Sequence, residues 1–188
     1  MNDGRKGRVR GARTGIDRFV IGMASAGIAG VVFAATLAGQ TPRAAAPPAD
    51  LNQLMRGLFF PHSNVVFAPQ RVNPADIKRA SEPSTATDPL AGVFGNWEAV
   101  ENSALTLTEA ADLLMTPGRK CSNGKDVPLT SPEWVRMVNK LREAGMFSFK
   151  AAQSKNIDKM LEAADVLNDS CAECHNRYRP RNIANRCQ

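Results

Sequence analysis

Residues 156–179 read NIDKMLEAADVLNDSCAECHNRYR, and the fold turns on this stretch. Ile157, Met160, Leu161, Ala164, Leu167, Cys171, Cys174, His175 and Tyr178 fall on one side of a helix that starts near Asn156. Near its end stands Cys171-Ala172-Glu173-Cys174-His175, a C-x-x-C-H run. Thiols three residues apart on a helix share a face. There they can form thioethers to the two vinyl groups of one haem, and the imidazole that follows can reach the iron as proximal ligand. Two other readings compete. A redox dithiol wants a βαβ context, and a zinc site wants four ligands at short spacings. No βαβ pattern is visible, and Cys121, Cys187 and His62 are scattered. The residues therefore point to one covalent haem c on Cys171, Cys174 and His175.

Upstream, two more helices read clearly. Ser131-Pro132-Glu133 is a strong start, with Ser131 as N-cap and Pro132 at the first helical position. Trp134, Met137, Val138, Leu141 and Ala144 supply the inward face of that third helix. In the second, Trp97, Val100, Ala104, Leu107, Ala111 and Leu114 alternate steps of three and four, a narrow apolar seam. Pro117-Gly118 stops it, and a polar loop over 118–130 carries Cys121. A first helix starts at Asp50 as N-cap and carries Leu51, Leu54, Met55, Leu58, His62 and Val65 at helical spacing. Pro61 is expected to kink it or end its first segment. Residues 68–93, with Pro69, Pro74, Pro83 and Pro89, show no sustained period. They are expected to wrap the helices, with a short turn near Pro74–Arg79.

The N-terminus speaks to location. Arg5, Lys6, Arg8, Arg10, Arg13 and Arg18 precede Phe19–Ala38, which carries no charge. A basic region before an apolar run predicts a signal peptide or an uncleaved anchor. Residues 1–46 are read as this leader plus tether, and 47–188 as one domain. Either outcome puts that domain across the inner membrane, in the periplasm, with membrane contact only through 19–38 if the leader stays. Residues 1–44 hold seven of the 24 Lys+Arg and two of the 18 Asp+Glu. The remainder, 17 against 16, is nearly neutral, so the basic pI is no argument for nucleic-acid binding.

Four amphipathic helices with this motif near the end of the last resemble the cytochrome c′ / cytochrome c556 family over about residues 50–181. The specific part is Cys171-x-x-Cys174-His175-x-x-Tyr178-Arg179, which matches the family's terminal C-x-x-C-H-x-x-[aromatic]-Arg pattern. The resemblance implies an all-α, up-down-up-down four-helix bundle with the haem between helices at one end. It puts Tyr178 and Arg179 in the haem surround, where Arg179 could neutralise a propionate. Family members differ at the sixth iron position. One type leaves it empty and crowded, and responds to gases. The other fills it with a Met from the first helix and transfers electrons.

In that bundle the end of the fourth helix lies beside the start of the first. Met55 is then better placed as sixth ligand than His62, which sits seven residues further, about 10 Å along the axis. The ordinary reading of Met55 is a core gap-filler, and that of His62 a hydrogen-bonded core histidine. The second and fourth helices end at the same pole, so Cys121 and Cys187 are expected to form a disulfide there. The implied function is electron transfer with a redox partner protein; the alternative is a five-coordinate binder of NO or CO. Family dimers are common, so a homodimer stays open, although no dimer face is identifiable. No general base or nucleophile constellation is visible, and the chain is not read as an enzyme.

Overall fold

Asp50 accepts from the Gln53 backbone N–H at 2.7 Å, and the Gln53 side chain returns the contact to the Asp50 N–H at 2.9 Å. This capping box starts the first helix where the sequence predicts it. The computed structural model describes residues 46–187. The apolar run 19–38, its cleavage and the rest of the leader through residue 45 lie outside the described residues, as does Gln188.

The first helix is composite. α1 (Leu51–Leu54) runs into a π-helical turn (Met55–Phe59) and on into α2 (Phe60–Phe67). Pro61 stands in the first turn of α2, just past the π turn, and the chain stays helical through it. A proline has no N–H, and its ring clashes with the carbonyl four residues back. The π turn absorbs both problems, because Phe60 N–H reaches Met55 O, five residues back. The extra residue shifts the buried face by one position. Leu54 and Val65 are buried as expected and Phe59 and Val66 join them, while Leu58 and His62 are only half-buried.

The connection that follows is built from 3₁₀ turns at Ala68–Gln70, Pro74–Asp76, Pro83–Thr85 and Pro89–Ala91. Each holds one of the four prolines in its first two positions, where no N–H is needed. Asn73 and Asp88 cap two of them. The Asn96 side chain donates to Pro74 O at 2.7 Å and Ile77 O at 2.8 Å, tying the connection to the second helix. Gly95 is required at that junction, since a Cβ there would lie 2.4 Å from Leu90 O.

α3 (Asn96–Ala110) continues as a 3₁₀ turn through Met115, and all six residues of its predicted seam are buried. α4 (Pro132–Gln153) begins on the Ser131 cap, and its five predicted inward residues are buried. α5 (Ile157–Tyr178) begins on Asn156, which accepts from Lys159 N–H. Met160, Ala164 and Leu167 are buried as expected. Leu161 is not; it is 37% exposed, and Ala163 takes its place. The face centres on the 160–163–164–167 row, and Leu161 lies a step of about 100° from Met160.

Four contacts define one pole. Leu51 N–H donates to Lys120 O at 2.8 Å, joining the start of the first helix to the segment after the second. Tyr178 Oη lies 3.2 Å from Ser131 Oγ, joining the end of the fourth to the start of the third. Cys121 and Cys187 are bridged, with Cα atoms 6.5 Å apart. Buried Arg119 donates to Leu113 O and to Ala49 O, joining the end of the second to the entry of the first. Successive helices therefore alternate in direction. Among the described residues there is no strand, only an isolated bridge between Lys120 and Asp126. Among them no helix is long and apolar enough to cross a membrane.

Candidate functional site

The same pole holds a cavity of about 380 Å³ to which every helix contributes. This lies in the ordinary range for a ligand site. α5 supplies Cys171, Cys174, His175 and Tyr178, and its C-cap Arg179 follows. The composite first helix supplies a stripe that includes Met55, Arg56, Phe59 and Phe60. α4 adds Trp134, Met137, Val138 and Leu141, and α3 with its extension adds Leu107 and Leu114. The bridged Cys121 and Cys187 close one side, with Arg186. All six residues predicted from sequence for the site, Met55 included, thus line one space. His62 is not among its lining residues. Its ring Nδ1 lies 3.2 Å from Ser103 Oγ, on α3. It is the hydrogen-bonded histidine of the ordinary reading.

The wall chemistry is lopsided. Its body is apolar. Three guanidinium groups, Arg56, Arg179 and Arg186, line it, and no carboxylate does. Such a cavity suits an apolar body with an anionic edge. Phe60 is 65% exposed at its margin, a large apolar group left in water.

The motif is held rigidly. Glu173 pairs with Lys140 at 2.6 Å and with Arg136 at 2.7 Å, both on α4. These hydrogen bonds, that from Lys140 first, hold its carboxyl below the usual carboxylate range. The two ion pairs link α5 to α4 between the two cysteines. Tyr178 packs edge-to-face on Trp134, centroids 5.0 Å apart, and carries Arg177 over its ring at 5.2 Å.

The protonation states favour some chemistries over others. Burial pushes both thiols up; Cys174 rises to about 11, with the Cys171 and Glu173 charges adding to the burial. A redox dithiol needs the opposite, a thiolate stabilised at a helix N-terminus. Here the thiols stand in the last turns, where the helix dipole disfavours an anion. His175 is held low by burial and then by the Arg179 charge, which keeps its ring neutral with a lone pair available. Among the described residues no group of three or more His, Cys, Asp or Glu stands where it could hold a metal ion.

Sequence reasoning missed the π turn, the buried Phe59 and the clamp made by Asn123. The Asn123 side chain shares its two hydrogens among Ile183 O, Ala184 O and Arg186 O at 3.0–3.2 Å. Nothing local to Asn123 signals this, because its partners lie some 60 residues away. No family model matches the chain, and neither the curated proteins nor the solved structures contain a match to it.

Proposed function

We propose that the chain is a monohaem c-type cytochrome that transfers electrons outside the cytoplasm, of the kind its motif resembles. One observation carries the reading: both thiols of the C-x-x-C-H run, its imidazole and the Met55 thioether line a single apolar cavity. The donor set fits a haem. Each thiol would add across one vinyl group, its sulfur bonding to one carbon and its hydrogen going to the other, so no oxidant is needed. His175, neutral at neutral pH, is in the form that can donate to iron. Met55, on the first helix, would offer the softer ligand. When bound, the haem supplies one-electron exchange between ferric and ferrous iron.

The remaining residues tune that exchange. Met/His ligation raises the potential. The apolar walls from α3 and α4 exclude water and hold the geometry. Arg179, in the cavity lining, would offset a propionate, and Tyr178 packs the end of α5 against Trp134 of α4. The leader at 19–38 is proposed to deliver the domain to the periplasm, where a protein redox partner would meet it.

The test is the purified protein. Haem that survives acid–acetone extraction, with sharp low-spin ferrous bands, is the expected result. Extractable or absent haem would overturn the proposal. A broad high-spin ferrous spectrum with covalent haem would instead support the five-coordinate NO or CO binder.

A further inference from the structure

Asn123-Gly124 is the one Asn-Gly pair in the sequence, and it forms the clamp on the tail. Such a pair carries intrinsic chemistry. The backbone nitrogen of the second residue can attack the side-chain amide carbon of the first, and glycine, with no Cβ, obstructs this least. Gly124 is exposed, at φ +80°, with nothing within 4 Å of a would-be Cβ. Crowding therefore does not shield the pair; hydrogen bonding does. Gly124 N–H donates to Cys121 O at 2.9 Å, and Asn123 Oδ1 accepts from Lys125 N–H at 3.2 Å. Asn123 Nδ2 donates to Ile183 O at 3.1 Å, Ala184 O at 3.2 Å and Arg186 O at 3.0 Å. The attacking nitrogen and the leaving nitrogen are both engaged, so the loop must open before they react.

We propose that Asn123 is a deamidation site, and that its conversion to a carboxylate releases the tail 183–186 from the flank of the cavity. The Gly124 nitrogen bonds to Asn123 Cγ and gives its proton to solvent. The Cγ–Nδ2 bond breaks, and Nδ2 takes a proton and leaves as ammonia. Water then opens the cyclic imide at either carbonyl, leaving an aspartyl or an isoaspartyl residue. The sum is amide plus water to acid plus ammonia, with nothing oxidised or reduced. The product inverts the clamp. A carboxylate, ionised at neutral pH, only accepts, yet it faces three carbonyl oxygens. The isoaspartyl form also lengthens the backbone by one carbon and so spoils the turn to Lys125 N–H. Cys187 stays held by its disulfide and by its N–H on Tyr178 O, which confines the release to the residues before it. Arg186, which lines the cavity, is among them. None of this depends on what the cavity binds.

The purified full chain is incubated in mildly alkaline buffer, folded and in urea, and mapped by peptide mass. In urea Asn123 should convert before the other asparagines, to a mixture of aspartyl and isoaspartyl forms. In the folded protein the same conversion should run roughly tenfold or more slower, because opening precedes attack. Equal rates would show that the clamp does not restrain the reaction, and no conversion at Asn123 would remove the site. Folded protein that has converted should exchange its backbone amides faster along 183–186, with position 187 still protected. Asn123→Asp supplies the aspartyl product in uniform form. It should exchange along 183–186 at least as fast as Asn123→Ala, since a carboxylate repels the carbonyls that alanine merely leaves. Protection equal to that of the native chain, in Asn123→Asp and in the converted protein, would overturn the release.

Discussion

Met55 and His62 share one helix, seven residues apart, and only Met55 reaches the cavity. Both could ligate iron, so the difference is directly testable. Met55→Ala in the haem-loaded protein should convert a low-spin spectrum to high-spin, whereas His62→Ala should leave the ligand field unchanged. The reverse pattern would make His62 the ligand. His62 also carries a pH prediction. Burial holds its folded-state pKa below the ordinary 6.5. The unfolded chain therefore binds the proton more readily, and stability rises with pH through that window. The contribution is present above about pH 6.5 and is lost as pH falls through the folded value. With His175 engaged on iron, His62 is the one other histidine. His62→Gln, which can still bond Ser103, should flatten the fall in urea midpoint between about pH 7 and pH 5. Identical slopes would show that the ring does not titrate in the folding reaction. At this scale much was legible. Cys171, Cys174, His175, Tyr178 and Arg179 fall within nine residues, so the last turns of one helix and its C-cap gather them without tertiary knowledge. Trp134 Nε1, buried without a partner among the described residues, was not legible, because a missing partner is visible only once every neighbour is in place.

The helices differ in how well local pattern described them. α3 and α4 keep one apolar period from end to end, so their buried faces follow from spacing alone. The first helix does not, because the π turn slips its phase by one residue between Met55 and Phe59. Pro61 made some distortion foreseeable; its form depended on packing that continues the helix past the proline. Two glycines expose the same contrast between local and tertiary control. Gly57 has nothing within 4 Å of a would-be Cβ. Gly57→Ala should stabilise the fold by about 0.5–1 kcal/mol, the usual gain over helical glycine. Gly145 sits where α4 crosses α3, and its Cβ would lie 2.5 Å from Thr108 Oγ1 and 3.0 Å from Thr108 N. The hydroxyl is anchored to Ala104 O at 2.9 Å, and the backbone cannot retreat. Gly145→Ala should therefore cost about 1–3 kcal/mol despite better helix propensity. Chemical denaturation of both variants checks the pair. A stabilised Gly145→Ala would mean that the two helices can part without penalty.

For the whole molecule, the bridge between Cys121 and Cys187 was expected from two leftover thiols in an oxidising compartment together with the bundle topology that the resemblance implies. Helices that alternate bring the ends of the second and fourth to one pole, and the cysteines lie just past those ends. What the topology could not supply is how the tail is held apart from the bond. Cys187 N–H donates to Tyr178 O at 3.0 Å, Arg186 reaches Ser122 Oγ at 3.2 Å, and Asn123 clamps three tail carbonyls. Such hydrogen bonds contribute about 1 kcal/mol each, enough together to keep the tail docked without the covalent link. The disulfide then acts mainly on the unfolded chain. Its cysteines are 66 residues apart, and in the chain-entropy model closing such a loop is worth about 4 kcal/mol, an upper figure where strain is present. The Cys121→Ser, Cys187→Ser double variant should lose up to about 4 kcal/mol in urea unfolding. Its position-187 amide should nevertheless stay protected from hydrogen exchange, because the bond to Tyr178 O survives. Asn123→Ala should behave oppositely, with little change in global stability beyond about 1–3 kcal/mol for its lost bonds, but faster exchange along 183–186. If the double variant instead kept its stability and lost protection at the tail, the bridge would be acting on the folded state, as a strap over the cavity beside Arg186.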